Sequence, residues 1–264
     1  MPIISSNSAS DASVRMHILG VRIDNITRNE ALARCMAFLN DGEQHLFTTP
    51  NPEIIIDAQR DDAFRSILNS ADLAIPDGFG LMLAGRILGQ PIRERIAGSD
   101  FLMDICGLAE RESASVYLFG APPGVAQRAG EALQKKYPKL AIAGTDNGPH
   151  LPASDCDIHT AISKIQNTNP HILFVAMGHG KQEKWIAAHL RDMSSVKIAM
   201  GVGGAFDFLA GTARRAPRFL RAMGLEWLWR LFCEPWRARR IFKAVIQFPL
   251  LTIREALSSK RHKS

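Results

Sequence analysis

Residues 71–80 read Ala71-Asp72-Leu73-Ala74-Ile75-Pro76-Asp77-Gly78-Phe79-Gly80. The apolar stretch 73–75 predicts a buried strand that ends at Pro76, and the apolar residues after Gly80 predict a helix. Asp77 is therefore expected in a strand-to-helix turn at the carboxyl end of a strand, where open α/β sheets bind their ligands. A carboxylate in such a turn is also suited to capping the helix, so the stretch alone leaves both roles open for Asp77.

The same order of elements recurs outward from this stretch. Further strands are predicted at residues 17–23, 44–49, 115–119, 140–145, 171–176 and 196–200, and helical patterns separate them. Strands that alternate with helices imply right-handed crossovers and a mostly parallel sheet covered on both faces. The sequence therefore predicts a Rossmann-like three-layer α/β fold followed by a basic helical appendage.

Small or polar residues follow five of the predicted strands. They are Thr49 and Asn51, Asp77 and Gly78, Gly120, Gln182 and Glu183, and Gly201 and Gly203. Because the carboxyl ends of parallel strands share one edge, we expect these residues around a single crevice. Glycines there let the backbone approach a ligand closely, and Arg95 and Lys181 can neutralise a diphosphate. This composition predicts a nucleotide or sugar-nucleotide cleft with Asp77 as its proton acceptor.

Several other polar residues have simpler local interpretations. Asn51, which precedes a proline, is expected to cap a helix, and Ser99 is expected to cap the helix that follows it. Ser99 and Asp100 are also candidate substrate-binding residues. The triplet Asp155-Cys156-Asp157 matches the DxD pattern that binds a metal and a diphosphate in other transferases. Its position before a helix favours capping instead. His179, between two glycines, is expected to be a solvated loop histidine rather than a base.

The overall composition is that of a globular protein. The chain has 264 residues, of which 46% are hydrophobic and 22% charged, which is enough for one sizeable domain and an appendage. Its four cysteines form no CxxC pair, which argues against a disulfide framework or a zinc site. Residues 1–13 predict a flexible leader that is no signal peptide, and no apolar run approaches the roughly 20 residues that span a bilayer. We expect the catalytic domain over residues 14–210 and the appendage over residues 211–264.

The appendage carries most of the positive charge. Residues 211–264 contain 13 Lys/Arg against 3 Asp/Glu, whereas the rest of the chain contains 19 against 23. Short helices that mix arginine with tryptophan and phenylalanine predict binding to an anionic membrane surface. The alternative is that the aromatic residues pack on the domain and the arginines form a solvated face. The arginines predicted to contact lipid or a lipid-linked diphosphate are Arg214, Arg215, Arg218, Arg221, Arg230, Arg237, Arg239 and Arg240.

Seven motifs occur in the order found in one known family. They are Thr49-Pro50-Asn51-Pro52, the stretch 71–80, Arg95-Ile96-Ala97-Gly98-Ser99-Asp100, Lys181-Gln182-Glu183-Lys184-Trp185, Gly201-Val202-Gly203-Gly204-Ala205-Phe206-Asp207-Phe208-Leu209-Ala210-Gly211, Arg215-Ala216-Pro217, and Gly224-Leu225-Glu226-Trp227 followed by Arg230-Leu231. Together, over about residues 18–240, they closely resemble the WecG/TagA/CpsF family of bacterial glycosyltransferases.

The resemblance implies that a sugar is transferred, with inversion, from a UDP-sugar to an undecaprenyl-diphosphate-linked saccharide in cell-surface polysaccharide biosynthesis. N-acetylmannosamine, its uronic acid and glucose are the donor sugars it implies. It further implies no cofactor, no required metal, and a peripheral location on the inner face of the cytoplasmic membrane. By position, Asp77 corresponds to the general base, and Thr49, Arg95 and Gln182 correspond to residues of the donor pocket. Gly180 departs from the family, which usually has proline before the Lys-Gln-Glu.

Two other classes of function stay open at this point. A Rossmann-type oxidoreductase would bind NAD(P), but the turn after Gly120 lacks the GxGxxG spacing. A nucleic-acid-binding protein would use the basic appendage, but the sequence contains no groove-reading motif or stacking platform, so we expect no nucleic-acid partner. The sequence leaves the formation of a homo-oligomer open.

Overall fold

The computed structural model of the chain describes residues 15–149, 154–217, 219–220 and 223–261. The predicted leader lies outside the described residues. The first elements are two antiparallel strands, β1 (Arg15–Ile18) and β2 (Val21–Asp24). The prediction of a single strand over residues 17–23 is wrong, because Leu19 and Gly20 both have positive φ and turn the chain into a hairpin. Apolar residues continue on both sides of that turn, so the spacing of apolar residues along the sequence does not reveal the turn.

The centre of the fold is a six-stranded sheet. Its strands are β3 (His45–Thr48), β4 (Leu73–Ala74), β5 (Ser115–Gly120), β6 (Ala141–Asp146), β7 (Ile172–Ala176) and β8 (Ile198–Gly201). Their spatial order is β4-β3-β8-β7-β5-β6, and every neighbouring pair is parallel. The predicted parallel sheet is therefore confirmed, and the carboxyl ends of all six strands lie at one edge.

Helices connect the strands of this sheet. They are α1 (Arg28–Asn40), α2 (Pro52–Ala58), α3 (Asp62–Ser70), α4 (Phe79–Ile87), α5 (Gly98–Arg111), α6 (Val125–Lys136), α7 (Asp155–Thr168), α8 (Lys181–His189) and α9 (Ala205–Leu209). Asn51 caps α2 as predicted, since its side-chain oxygen accepts a hydrogen bond from Ile54 N at 2.9 Å. Ser154 and Asp157 form a capping box at the start of α7, which confirms the capping interpretation of the DxD triplet.

Two apolar layers cover the two faces of the sheet. In β7, Ile172 and Phe174 belong to a buried cluster that includes residues of α1, α5, α6 and α9. Leu173 and Val175, the alternate residues, belong to a second cluster with residues of α7 and α8. Because successive side chains of a strand point to opposite faces, this division confirms the predicted three-layer arrangement.

The C-terminal part of the chain is helical. It contains α10 (Glu226–Cys233), a 3₁₀ turn (Pro235–Arg237), α11 (Ala238–Phe242), a π-helical turn (Lys243–Gln247) and α12 (Phe248–Arg261). Phe248 is 1% exposed and joins a buried cluster with residues of α2, α4 and the hairpin. No helix in the described parts of the chain is both long and apolar enough to cross a membrane. The domain boundary after residue 210 stays a prediction.

Candidate active site

Asp77 lies in a turn that is fastened to the end of β3. Its backbone N–H donates to the carbonyl of Pro50 at 2.9 Å. Helix α4 begins at Phe79, and Gly78, with a φ of +97°, is its N-cap residue. Because Gly78 occupies the N-cap position, the half-buried Asp77 is not the N-cap residue of α4, and its role as proton acceptor stays a prediction.

A cavity of about 390 Å³ opens beside this turn. Six of the predicted site residues are among those that line it, namely Asn51, Asp77, Gly78, Arg95, Ser99 and Arg240. The expectation that Ser99 caps α5 is wrong: the helix begins one residue earlier, with Ala97 at the N-cap, so Ser99 lies in the first turn and faces the cavity. Loops of the α/β body and helices of the basic appendage therefore enclose one space.

Arg215 extends from the basic appendage to the residues around Asp77. Its Nη1 donates to Asp100 Oδ1 at 2.6 Å. Burial is the largest single effect on Arg215 and would lower its pKa, but the hydrogen bond to Asp100 and the nearby negative charges together raise it. The negative charges of Glu226 and Asp77 act in the same direction. Its buried Nε has no hydrogen-bond partner among the described residues, and Arg215 is not among the residues that line the cavity.

Four of the predicted residues form a separate buried cluster. Gln182, 2% exposed, accepts a hydrogen bond from Gly203 N at 3.0 Å and donates to Glu183 Oε1 at 2.8 Å. A Cβ atom on Gly201 would lie 2.5 Å from Gln182 Nε2. Burial raises the pKa of Glu183 against the effect of its donors. These residues are not among those that line the cavity, and a contact of Gln182 or Glu183 with a substrate stays a prediction.

Gly180 supports this cluster through its backbone. It has a φ of +78°, and its N–H donates to Glu183 Oε2 at 2.7 Å. Gly180→Pro would fix φ near −65° and remove that donor, so we expect it to lower the free energy of unfolding by about 3 kcal/mol. Urea denaturation measures this loss, and Gly180→Ala, which keeps the N–H, should cost less. A proline variant as stable as the wild type would contradict the observed loop conformation.

Two further predicted residues lie close to the strand ends without lining this cavity. Thr49 is 7% exposed and packs under Gly98, where an added Cβ would lie 3.1 Å from Thr49 Cγ2. Gly120 has a φ of +103°, and a Cβ there would lie 2.6 Å from the carbonyl oxygen of Ala176. Glycine at position 120 therefore allows β5 and β7 to meet, and it shapes the turn that follows.

A second cavity, of about 630 Å³, lies at the ends of β5, β6 and β7. Its lining residues are Ala121, Pro122, Pro123, Asn147, Gly148, Pro149, Ala176, Met177 and Lys181. The turn after β5 and the start of α8 thus face each other across it. The two cavities lie at the carboxyl edge of the same sheet, which is the edge at which the sequence predicted a ligand.

His179 is not the solvated loop residue that the sequence predicts. Its Nε2 lies 2.9 Å from Asp57 Oδ2, and its Nδ1 lies 3.0 Å from Arg240 Nη2. Arg240 Nε also pairs with Glu53, and Lys243 Nζ donates to Asp57 Oδ1 at 2.6 Å. We call these five residues the ionic cluster. They join α2 to the appendage, and a contact over 122 residues of sequence leaves no local signal.

The ionic cluster contains three groups of the kinds that bind metals. Ligand atoms of Glu53, Asp57 and His179 lie within 4.8 Å of one another. Arg240 and Lys243 already pair with the two carboxylates and supply two positive charges. Burial would raise the pKa of Asp57, but the hydrogen bonds from Lys243 and His179 lower it below its usual value. The structure therefore explains these carboxylates by ion pairing, and we assign no metal to them.

The appendage exposes many large apolar side chains. Phe232 is 79% exposed and Trp236 is 75% exposed. Others that are largely exposed are Phe219, Met223, Phe242, Ile246, Leu250, Ile253 and Leu257. The alternative that these aromatic residues pack on the domain holds for Phe248 but fails for Phe232 and Trp236. Arg218 and Arg221 lie outside the described residues, as do the side chains of Arg230 and Arg237.

Comparison with known proteins identifies one family that this chain is similar to. A family model described as "Glycosyl transferase WecG/TagA/CpsF family" matches residues 16–262. A protein of Staphylococcus aureus (strain MRSA252) is 33% identical over 231 residues, which are 87% of this chain and 89% of the relative. One of Bacillus spizizenii is 31% identical over 225 residues, or 85% of each chain. Both relatives are named N-acetylglucosaminyldiphosphoundecaprenol N-acetyl-beta-D-mannosaminyltransferase.

Proposed function

Because the chain belongs to the WecG/TagA/CpsF family of glycosyl transferases, we propose that it transfers a sugar from a UDP-sugar to a saccharide linked to undecaprenyl diphosphate. The names of the relatives support N-acetylmannosamine as the donor sugar and diphosphoundecaprenol-linked N-acetylglucosamine as the acceptor. Family membership also favours this transferase over the oxidoreductase and the nucleic-acid-binding protein. The observation that carries the proposal is that Asp77 and Arg95 line one cavity together with Arg240 of the appendage.

The proposed chemistry is a single in-line displacement. The acceptor hydroxyl oxygen forms a bond to the anomeric carbon, the bond from that carbon to UDP breaks, and the configuration inverts. Asp77 takes the proton of the attacking hydroxyl, a contribution that general bases typically make at about 10²- to 10⁴-fold. Its place in a half-buried turn at the cavity wall supports this role.

Arginines supply the positive charge that the leaving UDP requires. Negative charge develops on the diphosphate as the sugar departs, so a fixed cation stabilises the transition state more than the bound substrate. Arg95 and Arg240 line the cavity, and the charge of Arg215 behind its wall interacts with that of Asp77. This set of cations lets the transferase work without a metal or another cofactor, which is part of the proposal.

The second cavity is a suitable place for the nucleotide part of the donor. It lies at the carboxyl ends of parallel strands, where this class of fold binds nucleotides. Lys181 lines it and can pair with a phosphate, and the glycine-rich turn before α6 allows close approach of the backbone. With the uridine there, the diphosphate would extend along the sheet edge toward Arg95, and the sugar would lie beside Asp77.

A direct assay tests the proposed activity. The full chain is incubated with a panel of UDP-sugars and a short-chain polyprenyl diphosphate that carries N-acetylglucosamine, and products are detected by mass spectrometry. We expect one added N-acetylhexosamine from UDP-N-acetylmannosamine. If no UDP-sugar in the panel gives a product, while NAD(P) binds, the proposal is wrong and the oxidoreductase alternative returns.

The appendage is proposed to bind the membrane that contains the acceptor. Exposed aromatic side chains can enter the headgroup region, while nearby basic residues such as Arg239 attract anionic lipid at about 1 kcal/mol per charge. The proposed location is the inner face of the cytoplasmic membrane, because the proposed donor is a UDP-sugar and the proposed acceptor is linked to a membrane lipid. Such a location requires no transmembrane helix, because a peripheral surface suffices.

Removal of two exposed aromatic side chains should weaken membrane binding. We expect Phe232→Ser with Trp236→Ser to reduce sedimentation with vesicles of anionic phospholipid about tenfold or more, because both side chains are largely exposed and would lose burial in the headgroup region. Met36→Ser, which changes an exposed apolar residue on α1, is the matched control. Equal sedimentation of the double variant and the wild type would refute the interfacial role.

A further inference from the structure

Glycines on both sides direct His179 toward the appendage. Gly178 has a φ of +82° and Gly180 a φ of +78°, a backbone conformation that other residues rarely adopt. The imidazole between them lies between α2, which carries Asp57, and the appendage, which carries Arg240. The side chain is partly buried. The loop between β7 and α8 is therefore the loop that presents this histidine.

The two hydrogen bonds of His179 define its protonation state. Arg240 Nη2, 3.0 Å from Nδ1, belongs to a guanidinium, which only donates hydrogen bonds. Nδ1 must therefore be the unprotonated acceptor. Nε2, 2.9 Å from Asp57 Oδ2, then carries the proton and donates it to the carboxylate. The geometry thus requires a neutral imidazole with its proton on Nε2. A proton on Nδ1 would point at the N–H of Arg240, so that two hydrogen-bond donors would face each other.

Arg240 depends on two partners for its position. Its Nε pairs with Glu53, which also lines the cavity that contains Asp77, and its Nη2 donates to His179. Its side chain is 43% exposed, so packing alone does not hold it. An arginine loses considerable side-chain entropy when it is fixed, and these partners offset that cost.

We propose that His179 is a positioning residue that holds Arg240 at the edge of the catalytic cavity while its imidazole is neutral, and that protonation of the imidazole releases the arginine. This inference rests on the proposed transferase function. Proton gain at Nδ1 removes the acceptor and places two positive charges beside each other. Arg240 then loses one of its two partners, and the cation that faces the diphosphate becomes less well placed.

The charged groups around His179 act in both directions. Glu53 and Asp57 from α2 favour the charged imidazole, as does the carboxylate of Glu183 from α8. Arg240 and Lys243 from the appendage favour the neutral imidazole. With neutral His179, the two carboxylates of α2 balance the two cations of the appendage. A charged His179 adds a third cation to the ionic cluster.

A pH profile with a conservative variant tests the consequence for transfer. In His179→Asn, the amide oxygen can replace Nδ1 as acceptor but cannot gain a proton. Between about pH 8 and about pH 5.5, we expect kcat/KM of the wild type to fall about tenfold more than that of His179→Asn. His159→Asn, on the exposed side of α7, should follow the wild type. Identical profiles for the wild type and His179→Asn would overturn the proposal.

A spectroscopic measurement separates this inference from the transferase assignment. Side-chain ¹⁵N NMR of the full chain at about pH 8 should show His179 with its proton on Nε2. In Arg240→Ala the Nδ1 signal of His179 should change, because the hydrogen-bond donor to Nδ1 is lost. A proton on Nδ1, or an unchanged Nδ1 signal in Arg240→Ala, would overturn the proposal even if transfer is observed. If these spectra agree but no UDP-sugar is transferred, the proposed function fails and the positioning of Arg240 stands.

Discussion

Asp77→Asn is expected to lower kcat by about 10²- to 10⁴-fold and to leave the fold and UDP binding intact. The amide has nearly the shape of the carboxylate but cannot take a proton from the attacking hydroxyl. The turn itself depends on the backbone N–H of residue 77, which donates to Pro50 O at 2.9 Å, and on Gly78 as the cap of α4. Neither feature uses the carboxylate, so the backbone conformation of the turn should persist in the variant.

The measurement is single-turnover transfer at saturating UDP-sugar, with UDP binding followed by calorimetry. Asp155→Asn is the matched control, because it makes the same chemical change in the DxD triplet at the exposed start of α7. We expect the control to transfer at the wild-type rate. Wild-type turnover by Asp77→Asn would remove Asp77 from the mechanism, and a loss in Asp155→Asn would direct attention to the DxD triplet.

Arg95→Ala is expected to lower kcat by about 10²- to 10³-fold, with a smaller effect on the KM for the donor. The reason is that charge on the diphosphate grows in the transition state, so a cation in the cavity acts there more than on the bound donor. Arg95→Lys keeps the charge without the planar group and should recover part of the rate.

Arg93→Ala is the matched control for this prediction. Arg93 lies two residues earlier in the same connection and forms an exposed ion pair with Glu30 at 2.8 Å. Such surface pairs contribute about 0–1 kcal/mol, so neither stability nor transfer should change much. If Arg95→Ala keeps the wild-type kcat, or if Arg93→Ala loses as much activity, Arg95 has no special role in stabilising the leaving group.

The features that sequence could predict are those encoded locally. The strand that ends at Pro76, the turn that contains Asp77, and the cap at Asn51 followed by a proline each occupy a few consecutive residues. Alternating strand and helix patterns were sufficient to predict a parallel sheet. From the sheet it followed that Asp77 and Arg95 would lie near one edge, and both line the same cavity.

The features that sequence could not predict are contacts over long distances along the chain. Arg215 pairs with Asp100 across 115 residues, and His179 contacts Asp57 across 122 residues. Both depend on where the appendage and α2 come to lie in the folded chain, which no periodicity encodes. Gln182 illustrates the same limit, because no local pattern indicates that its amide is buried and forms hydrogen bonds with Gly203 and Glu183. The sequence alone does not distinguish a polar residue that is buried from one that is exposed.

The anomeric configuration of the transferred sugar tests the central claim most directly. The proposed mechanism requires a single displacement, in which a hydroxyl deprotonated by Asp77 attacks the anomeric carbon of an α-linked UDP-sugar. NMR of the isolated product from UDP-N-acetylmannosamine should therefore show a β linkage. An α linkage would contradict the account, because retention needs a different sequence of steps from the one assigned to this cavity.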